Sequence, residues 1–298
     1  MRIAYVILAH QLPGQLVRLV RRLDSPNAQF LIHINRRSDD SILDAVAAGL
    51  AGLDNVVFLR RHRLHWGSFG HVRATIEAFD ELERRDLPHD YVALMTGQDY
   101  PIKPAAEIER VLAASGGNSF MAFDRVPGGV IDGMKRITHW HERRIGVPRG
   151  WHLSVPVNRR YPLGMVPWGG SSYWWLTREA VDHVRDWIRE HPRGYRFFRH
   201  VDIPDEVMFQ SILMNSPLAD RVACDELRLV DWTRRPMPWI FRADDLEELR
   251  TSPKMVARKF DMTVDAEILD LIDRELLGVD PEEGTVRSRS VEGPARPS

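Results

Sequence analysis

Ile3-Ala4-Tyr5-Val6-Ile7-Leu8 is an unbroken apolar run of strand length, closed by Ala9-His10 and the turn signal Gln11-Leu12-Pro13-Gly14. A strand that is apolar at every position has both faces covered, the pattern of a parallel sheet with helices on each side. The following residues keep that rhythm. Leu16, Leu19, Val20 and Leu23 recur at helical spacing. Phe30-Leu31-Ile32-His33-Ile34 reads as a second strand, residues 41–53 as a second helix and residues 56–59 as a third strand. Ser68 is placed to cap a helix carrying Val72, Ile76, Phe79 and Leu82. A fourth strand over 91–95 precedes a helix over 104–114. This alternation predicts an α/β fold with a Rossmann-type, mostly parallel sheet flanked by helices. Ligands of such sheets bind beyond the carboxyl ends of the strands. His10, the Asn35-Arg36-Arg37 turn and Thr96-Gly97-Gln98-Asp99 therefore fall at the mouth.

The chain has 298 residues, 44% hydrophobic, with 41 basic and 42 acidic side chains and a net charge of -1. A near-neutral total gives no whole-chain pull toward nucleic acid or an anionic membrane. Cys224 is the single cysteine, so no internal disulfide and no cysteine-based zinc site is expected, and a cytoplasmic location is the simplest. No apolar run reaches the roughly 18–20 residues of a membrane span, and the opening segment lacks the form of a signal peptide. The second half is irregular and Trp-rich. Gly116-Gly117, Gly128-Gly129 and the Gly/Pro stretch 146–150 break it, and Trp140, Trp151, Trp168, Trp174 and Trp175 crowd into it. Helices are expected over 177–190, capped by Thr177, and over 205–214, 243–250 and 266–277. No linker separates the halves, so residues 1–278 read as one domain, and 279–298 as a disordered tail.

Neither a P-loop nor a dinucleotide-binding glycine pattern is present, and there is no D-x-D pair to hold a divalent cation against a leaving diphosphate. If the chain handles a nucleotide sugar, cationic side chains must do that work. Arg234-Arg235 and Arg258-Lys259 offer it. Taken alone, such pairs also fit a solvated basic surface. Asp205 and Glu206 open a helical segment, where acids ordinarily compensate the helix dipole. Asp205 suits the cap. Glu206, beside Val207 and Phe209, is the better candidate for a base held at a cleft edge. His139-x-His141-Glu142 matches no zinc-ligand spacing. Ser171 and Ser172 lack an Asp/His partner at recognisable spacing, and the tryptophans fit both a core and a sugar-receiving surface.

In order along the chain, several segments resemble one family. They are residues 4–10 (A-Y-V-I-L-A-H), Ile32-His33-Ile34-Asn35, His65-Trp66-Gly67-Ser68, Thr96-Gly97-Gln98-Asp99-Tyr100-Pro101-Ile102-Lys103, Gly170-Ser171-Ser172-Tyr173-Trp174-Trp175, Asp205-Glu206-Val207-Met208-Phe209 and Ala257-Arg258-Lys259-Phe260. The family is that of the inverting core-2 and I-branching β-1,6-N-acetylglucosaminyltransferases and the peptide O-xylosyltransferases. The resemblance covers about residues 1–275. It implies a GT-A-like fold, with 1–115 as the nucleotide-binding half and 116–278 as the acceptor and catalytic half. It implies a UDP-sugar donor carrying GlcNAc or xylose, a glycan, peptide or small-molecule hydroxyl as acceptor, and no metal or other cofactor. Glu206 then corresponds to the catalytic base, and Arg258 and Lys259, with Arg234 or Arg235, to the diphosphate clamp. His10, Asn35, Trp66, Gly97 and Asp99 correspond to the nucleotide and donor-sugar site, and Trp232, Trp174 and Ser171 to the acceptor side. Asn35 stands where the family usually has Asp. The single cysteine and the absence of an anchor point to a bacterial, cytoplasmic member. A catalytically inactive sugar or nucleotide binder, and a metal-dependent transferase on a similar sheet, are the competing readings.

Overall fold

The computed structural model describes residues 1–128, 133–142, 153–157 and 159–281. Gly129, the 146–150 stretch, Trp151 and the tail beyond residue 281 lie outside the described residues. The opening alternation is β1 (Ile3–Ala9), α1 (Pro13–Leu23), β2 (Ala28–Ile34), α2 (Asp40–Gly49), β3 (Val56–Phe58), α3 (Gly70–Arg84) and β4 (Tyr91–Thr96). Then come β5 (Asp99–Pro101), α4 (Ala105–Ala114), β6 (Ser119–Met121), β7 (Asp124–Arg125), α5 (Lys135–Thr138), β8 (Trp140–Glu142) and β9 (Leu153–Val155). The second half continues with β10 (Trp168–Gly169), β11 (Trp174–Thr177), α6 (Arg178–Glu190), α7 (Pro192–Phe198) and α8 (Met208–Met214). It ends with β12 (Val222–Ala223), β13 (Arg228–Val230), α9 (Leu246–Thr251), β14 (Val256–Arg258) and α10 (Glu267–Ile272).

The main sheet runs β12-β6-β11-β4-β1-β2-β3. β1 pairs in parallel with β2 and β4, and β2 with β3, whereas β11 is antiparallel to both of its neighbours. The sheet is thus mostly parallel. Alternate residues of each strand feed opposite faces. Tyr5, Ile7, Phe30, Ile32, Ala93 and Met95 join the core under α1 and α10. Val6, Leu31, Val92 and Leu94 join the core under α3, α6 and α8. No described helix is long and apolar enough to cross a membrane.

Three short strands invisible to the periodicity form a second sheet, β13-β14-β5. Its register sets Arg258 opposite Asp99 in one direction and Val230 in the other. The carboxyl ends of β1, β2 and β4, the amino end of the antiparallel β11 and the end of β14 consequently converge on one edge. Several helix boundaries also differ from expectation. The second helix stops at Gly49, because α1 packs there and a Cβ would stand 2.5 Å from Val17 Cγ2. Ser68 accepts from Gly70 N one step ahead of its helix and does not occupy the cap position. The stretch 205–214 divides into a 3₁₀ turn, Pro204–Glu206, and α8, so Asp205 caps nothing. Thr177 does cap α6, its hydroxyl accepting from Ala180 N.

Residues 267–277 are clasped to the sheet by a buried ionic knot. The Asp273 carboxylate, with no exposure, takes Arg18 Nη2 and Arg22 Nη2 at 2.7 Å each, and Tyr100 Oη donates to it at 2.7 Å. Breaking a buried pair from one side leaves charge uncompensated and typically costs about 3–5 kcal/mol. Asp273→Asn is expected to lose stability in that range by urea unfolding. Asp186→Asn, which disrupts the exposed pair with Arg189, should lose less than about 1 kcal/mol. Equal midpoints for the two variants would refute the clasp.

Candidate active site

Three residues beyond β4, Asp99 opens β5 and turns inward. Its side chain and that of Arg228 both have zero exposure, with Oδ1 3.1 Å from Arg228 Nε. Thr96 N donates to Asp99 Oδ2 at 2.5 Å, and Arg228 Nη2 donates to Leu94 O at 3.0 Å. Arg258 lies above this pair. One of its terminal nitrogens donates to the Thr96 hydroxyl and stands 4.0 Å from Asp99 Oδ1. Both guanidinium groups cover the Tyr173 ring, Arg228 at 4.2 Å and Arg258 at 5.2 Å from its centre. Burial pushes the Tyr173 hydroxyl above its ordinary range, so it stays a neutral donor. The peptide joining Arg258 to Lys259 is cis. The Lys259 backbone is tied by its N–H to Trp239 O and by its carbonyl to Phe241 N.

The residues just before Tyr173 lead to the acids. Ser172 Oγ donates to Asp205 Oδ2 at 2.8 Å, and Gly170 N donates to Glu206 O at 2.9 Å. Arg136 Nη2 donates to Glu206 Oε2 at 2.7 Å, and its Nε lies 3.9 Å from Asp202. The Glu206 side chain retains 22% exposure. Burial raises its pKa above the usual 4.5; the Arg136 hydrogen bond opposes that shift, and the neighbouring Asp205 and Asp202 reinforce it. A partly buried carboxylate with a raised pKa, open on one edge, is chemically a base. Ile203 N donates to Gly67 O at 3.2 Å, which brings the turn carrying Glu206 against the segment of Trp66.

Several sequence expectations need correction. Asp99 and Gly97 are buried and cannot touch a donor; the carboxylate works beneath the mouth. Trp174 has zero exposure and packs on Phe79 and Phe209, so it cannot meet an acceptor. Arg234 is engaged by Asp231, Asp245 and Glu248, which leaves no fork for a diphosphate. Arg235 is exposed. Asn35 holds the Leu64 backbone from both sides, Nδ2 donating to its carbonyl at 2.9 Å and Oδ1 accepting its N–H at 3.1 Å. Ser171 donates to Glu226. His10 is exposed at the end of β1, and Trp66 and Trp232 are open aromatic faces at 61% and 62% exposure.

Tyr173, Arg228 and Arg136 complete the arrangement and were not singled out by pattern. For Arg228 a signal existed, because a charge inside Leu227–Val230 implies a buried partner. Among the described residues, no group of three His, Cys, Asp or Glu could hold a metal ion.

A family model described as Core-2/I-Branching enzyme matches residues 3–252. Arg258 and Lys259 lie beyond that span. Xylosyltransferase 2 of Rattus norvegicus is 27% identical over 306 residues, 94% of this chain and 34% of the relative. Xylosyltransferase 1 of the same organism is 26% identical over 313 residues, 97% of this chain and 37% of the relative. The chain thus spans about a third of the length of the curated relatives it matches. Among solved structures, a putative glucose-1-phosphate thymidylyltransferase from Bacillus anthracis matches 65% of this chain and 78% of its own, at 8% identity and a TM-score of 0.33. That likeness is too distant to carry an argument.

The strand pair β7–β10 supports the Glu206 turn through Gly170, where a Cβ would stand 1.9 Å from Ala122 O. Only a backbone shift could relieve that contact. Gly170→Ala is therefore expected to lose about 1–3 kcal/mol or more in urea unfolding, the range of overpacked sites. An unchanged midpoint would refute the constraint.

Proposed function

The chain belongs to the Core-2/I-branching enzyme family, and on that premise we propose that it is an inverting, metal-independent glycosyltransferase. In this reading the fold is GT-A-like, and residues 1–278 act as one unit. The donor is a UDP-sugar, with xylose or N-acetylglucosamine as the transferred group; the xylosyltransferase relatives support that choice. The observation that carries the proposal is Glu206, with its raised pKa, on the same mouth as the Tyr173-backed Arg258.

Chemically, the acceptor hydroxyl gives its proton to the Glu206 carboxylate as its oxygen forms a bond to the anomeric carbon. The bond from that carbon to the diphosphate oxygen breaks on the opposite face, so the configuration inverts. The electron pair leaves with UDP, whose growing charge is met by Arg258 and Lys259. Cations fixed before reaction in a partly dry site stabilise such charge without reorganising. Asp99 keeps Arg258 in place from below, and its own carboxylate is countered by Arg228. The carboxylates of the mouth are engaged by Arg228, Ser172 and Arg136, which supports charge stabilisation by guanidinium groups. His10, Asn35 and Trp66 flank the donor in this reading, and Trp232 offers an aromatic face on the acceptor side.

General-base catalysis is typically worth about 10²–10⁴-fold. Glu206→Gln is expected to lower transfer at least about 100-fold while leaving UDP affinity, measured by calorimetry in EDTA, near wild type. Near-wild-type turnover would sink the assignment, and loss of UDP binding on EDTA addition would sink metal independence. The base works ionised, so kcat/KM should fall with acid through an apparent pKa above 4.5. Arg136→Met removes the hydrogen bond that opposes the shift and should move that limb upward. A raised pKa also means that the folded chain holds this proton more tightly than the unfolded one. Ionisation of Glu206 therefore withdraws stability as pH rises past 4.5, and Glu206→Gln should melt no lower than wild type at neutral pH.

A further inference from the structure

Beyond Trp66, on the β3 side of the mouth, a cleft of about 480 Å³ opens between the loop after β3, α3 and the residues after α7. Arg36, Arg60, Arg63, Arg73 and Arg199 line it, and among the described residues Glu142 is the one carboxylate in its lining. All five arginines are exposed, and none forms an ion pair with a described residue. Arg61 differs: it is fastened to Asp40 and to the carbonyls of Ile34, Asn35 and Ser38, and holds the wall. Glu142, 3.4 Å from His200 Nδ1, sets one negative charge against five arginines. His65 adds a donor. Its Nδ1 is 2.9 Å from an Arg37 terminal nitrogen and must accept, so the proton sits on Nε2, which is buried with no partner among the described residues. Burial, helped by Arg37 and Arg63, lowers the His65 pKa, in keeping with a positive surrounding.

The diphosphate of the proposed donor does not account for this charge. Arg258 stands at the β4 end, and the cleft at the β3 end, three strand positions or about 14 Å across the sheet. The rest of a UDP-sugar is uncharged. Yet the cleft abuts the turn that carries Glu206, because Gly67 lies in its wall and accepts from Ile203 N, three residues before that acid. Trp66, adjacent to Gly67, is a largely exposed aromatic side chain at its rim. An aromatic face beside arginine forks fits a sugar ring that carries carboxylate or sulfate groups.

We propose that this cleft binds an anionic saccharide, and that the acceptor of the transfer is a glycan bearing negative charge, on the strength of the arginine-lined cleft whose wall is bonded to the turn of Glu206. The acceptor role rests on the glycosyltransferase reading; the binding itself does not.

The test uses the full chain and a fluorescein-labelled oligogalacturonate. Wild type should bind it in a manner that weakens as salt rises, and should not bind a malto-oligosaccharide of equal length. A triple variant, Arg60→Ser with Arg63→Ser and Arg73→Ser, should lose at least about tenfold in affinity, as expected for charged hydrogen bonds removed together. A control removing Arg84, Arg110 and Arg274, exposed elsewhere, should stay within about twofold, and the triple variant should keep its UDP affinity. Unchanged uronate binding by the triple variant would overturn the proposal, as would equal or tighter binding of polyglutamate or single-stranded DNA. Absence of UDP binding in every form would remove the donor reading and the acceptor role with it, while the uronate titration still decides whether the cleft takes an anionic saccharide.

Discussion

The zero-exposure pair of Asp99 and Arg228 is the contact on which the mouth depends. A buried carboxylate is costly unless countered, and here the counter-charge comes from β13, on the far side of β14 in the same three-stranded sheet. Nε and Oδ1 approach to 3.1 Å without hydrogen-bond alignment, so the attraction between them is Coulombic rather than directional. Direction is supplied by Thr96 N on the other carboxylate oxygen and by Leu94 O on Arg228. Those two bonds lock the last turn of β4 to β13, and through the register of β14 they determine where Arg258 stands. Tyr173 then lies beneath two guanidinium groups. The site's cation is placed by a charge no ligand can reach.

This explains which parts of the molecule were legible in the sequence. β1, β2 and β4 announce themselves because strands of six or seven residues, covered on both faces, leave long apolar runs. β5, β13 and β14 have three residues each, too short for any period, and all three carry the charges that matter: Asp99, Arg228 and Arg258. Trp174 and Trp175 show a second limit. Both are buried, one on each face of the sheet, so aromatic richness in that stretch measured core and not a sugar platform. Tyr173, one step before them and at the strand's mouth, is the aromatic that meets charge.

Glu206 was legible as an acid beside apolar residues but not as a residue of a 3₁₀ turn. What distinguishes it from a dipole-compensating acid is tertiary. Ile203 takes a left-handed φ of 51°, Gly170 secures the Glu206 carbonyl, and Arg136, seventy residues earlier, holds the carboxylate. Arg234 shows the reverse. Adjacent to Arg235 it reads as a free basic pair, yet carboxylates at 231, 245 and 248 enclose it. No local pattern separates an enclosed arginine from an available one.

That distinction also decides how the net charge of -1 should be understood. A balanced total excludes a uniformly basic surface, but it says nothing about where the compensation occurs. Arg18, Arg22, Arg185, Arg228 and Arg234 are each matched by acids in contact. The positive remainder is therefore local. Five of the unmatched arginines face one cleft, where field lines from like charges are focused by the protein wall. Paired charge among the described residues builds the fold, and these five arginines gather beside the segment bonded to the turn of Glu206.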